Sequence, residues 1–279
     1  MPMKITDSFI FFNEIDILKI RLNILYEKVD QFVICESNIT HSGQPKSYNF
    51  LDHKTEFMPW MDKITFLKYE PDISNLDFSK KEEAYNPTSA SWKIETGQRN
   101  FLSSFINLQD TEDYAMVCDV DEIWDPLFAD FIRSGQCEYD IARLEMKSHQ
   151  YFLNCVGIGA NNSKWIHAFF GKVGHIKSCP SLSNIRVGHP LPIISAAGWH
   201  FSYLGGAEKI SEKITAFAHQ EINTAEINNL KHLEHCINLG IDHLNRPGHE
   251  WAFHPIGYYP ESLKNEMEKF PHLIKSSLV

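Results

Sequence analysis

The first half of the chain alternates short apolar runs with helical periods four times over. A buried run at residues 9–12 precedes EIDILKIRLNILYEKV, where Ile15, Leu18, Leu22 and Leu25 recur at helical spacing. QFVIC at residues 31–35 reads as a second buried strand, ending at Glu36 and Ser37. A helix is expected over residues 52–60, then the strand KITFLKY and a polar surface loop over residues 70–91. The helix SWKIETGQRNFLSSFINL follows, with Gly97 as its weak spot, and residues 114–118 form the next strand. Repetition of this kind implies a parallel sheet with right-handed crossovers. Ligands of such sheets sit beyond the carboxyl ends of the strands, where Glu36 and Asp119 both stand.

One of those ends is unusual. In AMVCDVDEIW the apolar strand stops at Asp119, Asp121 and Glu122. Carboxylates that close repel one another and raise each other's pKa. A divalent cation, a shared proton or exposure to water would each offset the cost. Aspartates one residue apart on a turn suit Mn²⁺ or Mg²⁺, since hard cations prefer oxygen ligands. Such a cation would let an acidic protein hold a diphosphate. Just beyond, Asp125 and Pro126 form a helix start, Leu127, Phe128, Phe131 and Ile132 give the helix a buried face, and Gly135 ends it.

From Tyr139 onward the pattern changes. DIARLEM, YFLNCVG, HAFFGKV and AGWHFSY are strand-like pieces separated by turn residues, as in antiparallel or mixed pairing. Two helices follow, AEKISEKITAFAHQ and AEINNLKHLEHCINLG, the second closed by Gly240. His232 and His235 in the latter are not at HExxH spacing and read as a solvated face. A net charge of -10 argues against a nucleic-acid or anionic-membrane surface. The six cysteines lie far apart and are expected to be reduced. Neither a signal peptide nor a stretch able to span a bilayer is read, so a cytoplasmic location is expected.

The block DSFIFFNEIDILKIRLNILYEKVDQFVICESNITHSGQPK resembles the opening of glycosyltransferase family 17. The resemblance continues in order through WKIETGQRN, DVDEI, NIR, AGWHFSY and HPIGYYPESLKNEMEKFPHLI. It implies an α/β, GT-A-like single domain over residues 1–279, with a Rossmann-like mixed central sheet and flanking helices. Residues 1–125 would be the nucleotide-sugar-binding half, and residues 126–279 a helical and antiparallel acceptor half. It also implies a UDP-sugar donor, UDP-N-acetylglucosamine in the first instance, a divalent metal, inversion at the anomeric carbon, and a glycan acceptor.

Roles follow on that footing. Asp121 is the first choice for metal contact, with Asp119 reaching the metal through water or the ribose. His200 is a further metal ligand. Glu36 and Ser37 would meet the uracil or ribose, Arg99 the uridine or diphosphate, and Arg186 the leaving phosphate oxygens. Trp199 and Tyr203 offer aromatic faces to a sugar. Glu208, after Gly205 and Gly206 at a helix start, is the expected base, and Glu145 the reserve. Two other readings remain: a haloacid-dehalogenase-like phosphohydrolase using Asp119 and Asp121, and a non-catalytic module that binds sugar nucleotides.

Overall fold

A computed structural model of the chain describes residues 3–80, 82–188 and 190–275. Its frame is a seven-stranded mixed sheet in the order β11-β6-β10-β4-β1-β2-β3. The strands β1 (Ile5–Phe11), β2 (Gln31–Ser37), β3 (Ile64–Tyr69) and β4 (Tyr114–Asp119) run parallel, as the alternation requires. A short β5 (Glu122–Trp124) follows and leaves this sheet. The sheet is completed by β6 (Ile141–Leu144), β10 (Phe169–Lys172) and β11 (Ile193–Ile194), with β10 antiparallel to both β4 and β6.

A second, six-stranded sheet runs β13-β8-β7-β12-β5, with β9 paired to β7. Its other members are β7 (Met146–Gln150), β8 (Cys155–Gly157), β9 (Lys164–Trp165), β12 (Gly198–Ser202) and β13 (Trp251–Phe253). The chain crosses between the sheets at residues 119–122 and again at Glu145, so the acidic turn lies on the seam. The mixed central sheet with flanking helices is the α/β arrangement expected from the sequence.

Both faces of the first sheet are covered, which explains its apolar runs. Phe9, Phe11, Phe32, Ile34 and Met116 pack on one side with the helix Ile15–Leu25. On the other, Ile10, Val33, Cys35, Ala115 and Val117 pack with Leu102, Ile106 and Ile185. Each large side chain so buried contributes about 1.5–3 kcal/mol.

Several elements differ from the sequence reading. β1 begins at Ile5 because Thr6, Asp7 and Ser8 are buried although polar. The helix expected over residues 52–60 is one α-turn, Asn49–Asp52, followed by the 3-10 helix Lys54–Lys63, where Pro59 supplies no backbone donor. The helix Ala90–Phe101 runs through Gly97, where a Cβ would lie 2.0 Å from the Tyr69 hydroxyl, so glycine admits that contact. DIARLEM divides at Glu145 between the two sheets, and only Cys155–Gly157 of YFLNCVG is strand. The last two expected helices shorten to Ala207–Ala216 and Leu230–Leu239, the latter capped by the Asn229 side chain and by Gly240 at φ 65°. In the polar loop over 70–91, Lys81 lies outside the described residues. All six cysteines are free thiols. Among the described residues no helix is long and apolar enough to cross a membrane.

Candidate active site

The carboxyl ends of β1, β2 and β4 open onto a cavity of about 780 Å³, within the range of small-molecule sites. The acidic turn forms part of its wall, and the turn's charge is answered by the protein's own cations. Arg99 donates from Nη1 to Asp119 at 2.6 Å, and Arg186 from Nη2 to the other Asp119 oxygen at 2.7 Å. Arg186 also grips Glu122 with both terminal nitrogens, at 2.9 and 2.7 Å. Burial alone would raise the Asp119 pKa, but Arg186 and Arg99 outweigh it and hold this carboxyl well below its usual range.

Glu122 is fully buried and acts on the turn itself. It accepts the Asp119 backbone N–H at 2.7 Å and the Trp165 indole N–H. Beneath the turn lies Arg21, whose Nη1 donates to the carbonyls of Asp119, Val120 and Glu122 at 3.2, 3.3 and 2.5 Å. Asp7 fixes that guanidinium through two bonds of 2.7 and 2.6 Å, and accepts the Trp124 indole N–H at 3.0 Å. The turn is therefore built from below before any ligand arrives.

Asp121 is differently placed. Lys213, from the helix Ala207–Ala216, donates to its Oδ2 at 2.9 Å and lies 3.6 Å from Glu14. The other oxygen, Oδ1, lies 3.8 Å from His200 Nε2, too long for a hydrogen bond. His200 stacks on Trp165 with ring centroids 4.1 Å apart. Burial lowers its pKa more than Asp121 raises it, so the imidazole is neutral and keeps a lone pair for a ligand.

The residues fit a hard divalent cation in part. Asp121 Oδ1 and His200 Nε2 face one cavity without a direct bond between them. Among the described residues no group of three His, Cys, Asp or Glu side chains could hold a metal, so the remaining ligands would come from phosphate oxygens and water. Asp119 does not belong to that set as a direct ligand. Both of its oxygens are engaged by guanidinium groups, whose charge already offsets the repulsion within the turn.

Other expected site residues divide. Ser37, Arg99, Arg186 and Tyr203 line the cavity, with both arginines engaged by carboxylates. Glu36 does not line it. Fully buried, it pairs with Lys46 and accepts the N–H groups of Asn49 and Phe50 at 2.6 and 3.0 Å, fixing the short helical turn. Glu208 is exposed at the surface of its helix and also lies outside the lining, so it is not placed to act as base. Glu145 pairs with Lys164 at 2.9 Å and faces a separate cleft, as does Trp199.

Sequence reasoning missed Arg21, Asp7, Lys213 and Glu14. The signal for Arg21 was a cation on the buried face of an amphipathic helix, flanked by Leu18 and Leu22. Lys213 gave the same signal between Ile210 and Ile214.

Comparison with known proteins completes the description. Among solved structures the chain is similar to S. aureus TarS (residues 1–349), at a TM-score of 0.41 and 11% identity over 85% of this chain and 68% of that one. It is also similar to 4-diphosphocytidyl-2C-methyl-D-erythritol synthase, at 0.37 and 10% over 70% and 90%. No curated protein matches it. The model of glycosyltransferase family 17 matches residues 1–273, through both sheets and every strand of the cavity wall. The chain belongs to glycosyltransferase family 17.

Proposed function

We propose that the cavity binds a nucleotide sugar and transfers its sugar to an acceptor hydroxyl. The donor in this reading is UDP-N-acetylglucosamine and the anomeric centre inverts, as the family resemblance implies. The observation that carries the proposal is the Asp121–His200 pair facing a cavity at the carboxyl ends of parallel strands. Asp121 and His200 would hold Mn²⁺ or Mg²⁺, which supplies charge for a departing diphosphate when bound.

The remaining chemistry belongs to the side chains. Ser37, Phe12 and Lys46 line the cavity near the ends of β1 and β2, where the nucleoside would lie. Trp92 and Trp251 line it too, each with a buried indole N–H that has no partner among the described residues. Such donors suit sugar hydroxyls, and the rings suit sugar faces. In the transfer, the acceptor oxygen bonds to the anomeric carbon as the bond to the phosphate oxygen breaks. The acceptor proton must pass to a base. Among the described residues four carboxylates line the cavity: Glu14, Glu95, Asp119 and Asp121. Glu95 and Asp119 are engaged by Arg99 and Asp121 is assigned to the cation, so the base in this reading is Glu14, whose Oε2 accepts the Phe12 and Asn13 backbone N–H groups and whose Oε1 lies a longer 3.6 Å from Lys213.

Release of nucleotide from UDP-, GDP- and CMP-sugars, measured with Mn²⁺ and with or without glycans, tests the proposal. Release from a UDP-sugar supports it. Phosphate release from simple phosphomonoesters would favour the phosphohydrolase, and UDP binding without any turnover would favour the non-catalytic module.

A further inference from the structure

The second sheet has two working faces. His200 and Ser148 are register partners across β12 and β7 and line the main cavity. One residue back, Trp199, Lys147 and Lys164 form a single row across β12, β7 and β9. Side chains alternate between faces along a strand, so this row lies on the opposite side. There it lines a separate cleft of about 440 Å³, closed by Tyr258 and Tyr259.

The charges in that row are unusual. Lys147 and Lys164 stand directly opposite one another, an arrangement that destabilises a strand pair. Glu145 offsets Lys164 at 2.9 Å. Lys147 has no carboxylate partner among the described residues; it donates to the Tyr258 hydroxyl and lies 4.4 Å over that ring. Tyr259, only 6% exposed and part of the buried core, lines the same cleft. Two cations and one anion therefore meet beside aromatic rings, on a protein whose net charge is -10. Lys164 lines both cavities, which places the cleft just around the sheet edge from the main site.

We propose that this cleft binds a saccharide unit bearing an acidic group, with Lys147 and Lys164 on the anion and Trp199 and Tyr258 against the ring. It serves as an outer subsite for the acceptor, a role that rests on the transferase reading; the binding itself does not.

The test is titration of the whole protein, without donor, with glucuronate, glucose 6-phosphate and glucose, read by Trp199-sensitive fluorescence and by calorimetry. Either acid should bind at least about tenfold more tightly than glucose, a difference of about 1.4 kcal/mol. The tighter of the two acids names the group. Lys147→Met should abolish the preference and Lys147→Arg retain it, while UDP binding, measured separately, stays at the parent value and reports an intact fold. Equal affinity for glucose, no binding of any probe, or an undiminished preference in Lys147→Met would overturn the site. Failure of nucleotide-sugar turnover with acid binding intact would count against the transferase reading instead.

Discussion

Arg21 and Asp7 form an ion pair with no exposed side-chain surface, and the Arg21 guanidinium also carries three carbonyls of the acidic turn. Asp7 comes from the first strand and Arg21 from the first helix, so the opening of the fold sets the geometry of a turn a hundred residues later. Removing one partner of a buried pair leaves the other uncompensated. Arg21→Met is expected to cost about 3–5 kcal/mol in urea unfolding. A loss well below 1 kcal/mol would mean that the turn holds itself.

Arg186 joins Asp119 to Glu122, and Glu122 has no contact with solvent. Arg186→Ala should therefore destabilise the protein by a similar amount, about 3–5 kcal/mol. Arg186→Lys should recover only part of it, because an ammonium cannot reproduce the fork that reaches both carboxylates. Full recovery by lysine, measured by the same unfolding curve, would reduce the role of Arg186 to point charge.

Glu14 and Glu208 separate the two assignments of the base. Glu14→Gln should lower transfer by about 10²–10⁴-fold with UDP affinity unchanged, the range of a lost acid–base group. Glu208→Gln should transfer at the parent rate, since that side chain is exposed and away from the cavity. The opposite pattern would return the role to Glu208.

His149 makes stability depend on pH. It is wholly buried, its Nδ1 lies 3.0 Å from the Lys147 carbonyl, and its Nε2 has no partner among the described residues. Burial lowers its pKa to about 3. The unfolded chain then binds the proton first, so this contribution is fully present above about pH 6.5 and is lost as pH falls towards 3. At about pH 5 the loss amounts to about 2 kcal/mol. Between about pH 7.5 and pH 5 the loss of stability in His149→Gln should be smaller than in the parent by that amount, as read from unfolding curves. His167 and His243, each lowered to about 4 by burial, add to the parent's acid sensitivity with the same sign.

Much of the fold was legible because period and burial coincide. The runs ending at Ser37 and Asp119 are apolar on both sides, and parallel strands covered on both faces require that. Asp7 broke the rule: a carboxylate inside a strand reads as a strand end unless its partner, Arg21, is known to lie fourteen residues on. Of the cavity lining, Asp119, Asp121, His200, Arg99 and Arg186 were named from position, but Lys213 and the ion pairs that tie the arginines to the turn were not. No spacing places Arg99, Arg186 and Lys213 around one turn, since they come from three helices. Glu208 misled for the same reason. A glycine pair before a helix fixes where the helix starts, not which side of it meets the cavity.

The central claim is that Asp121 and His200 hold the cation that carries the donor diphosphate, and calorimetric titration of UDP with and without Mn²⁺ tests it most directly. Mn²⁺ should tighten UDP binding in the parent, and this gain should vanish in Asp121→Ala and shrink in His200→Ala, both variants being shown to fold by a cooperative unfolding transition. A gain from Mn²⁺ that survives intact in Asp121→Ala would contradict the account.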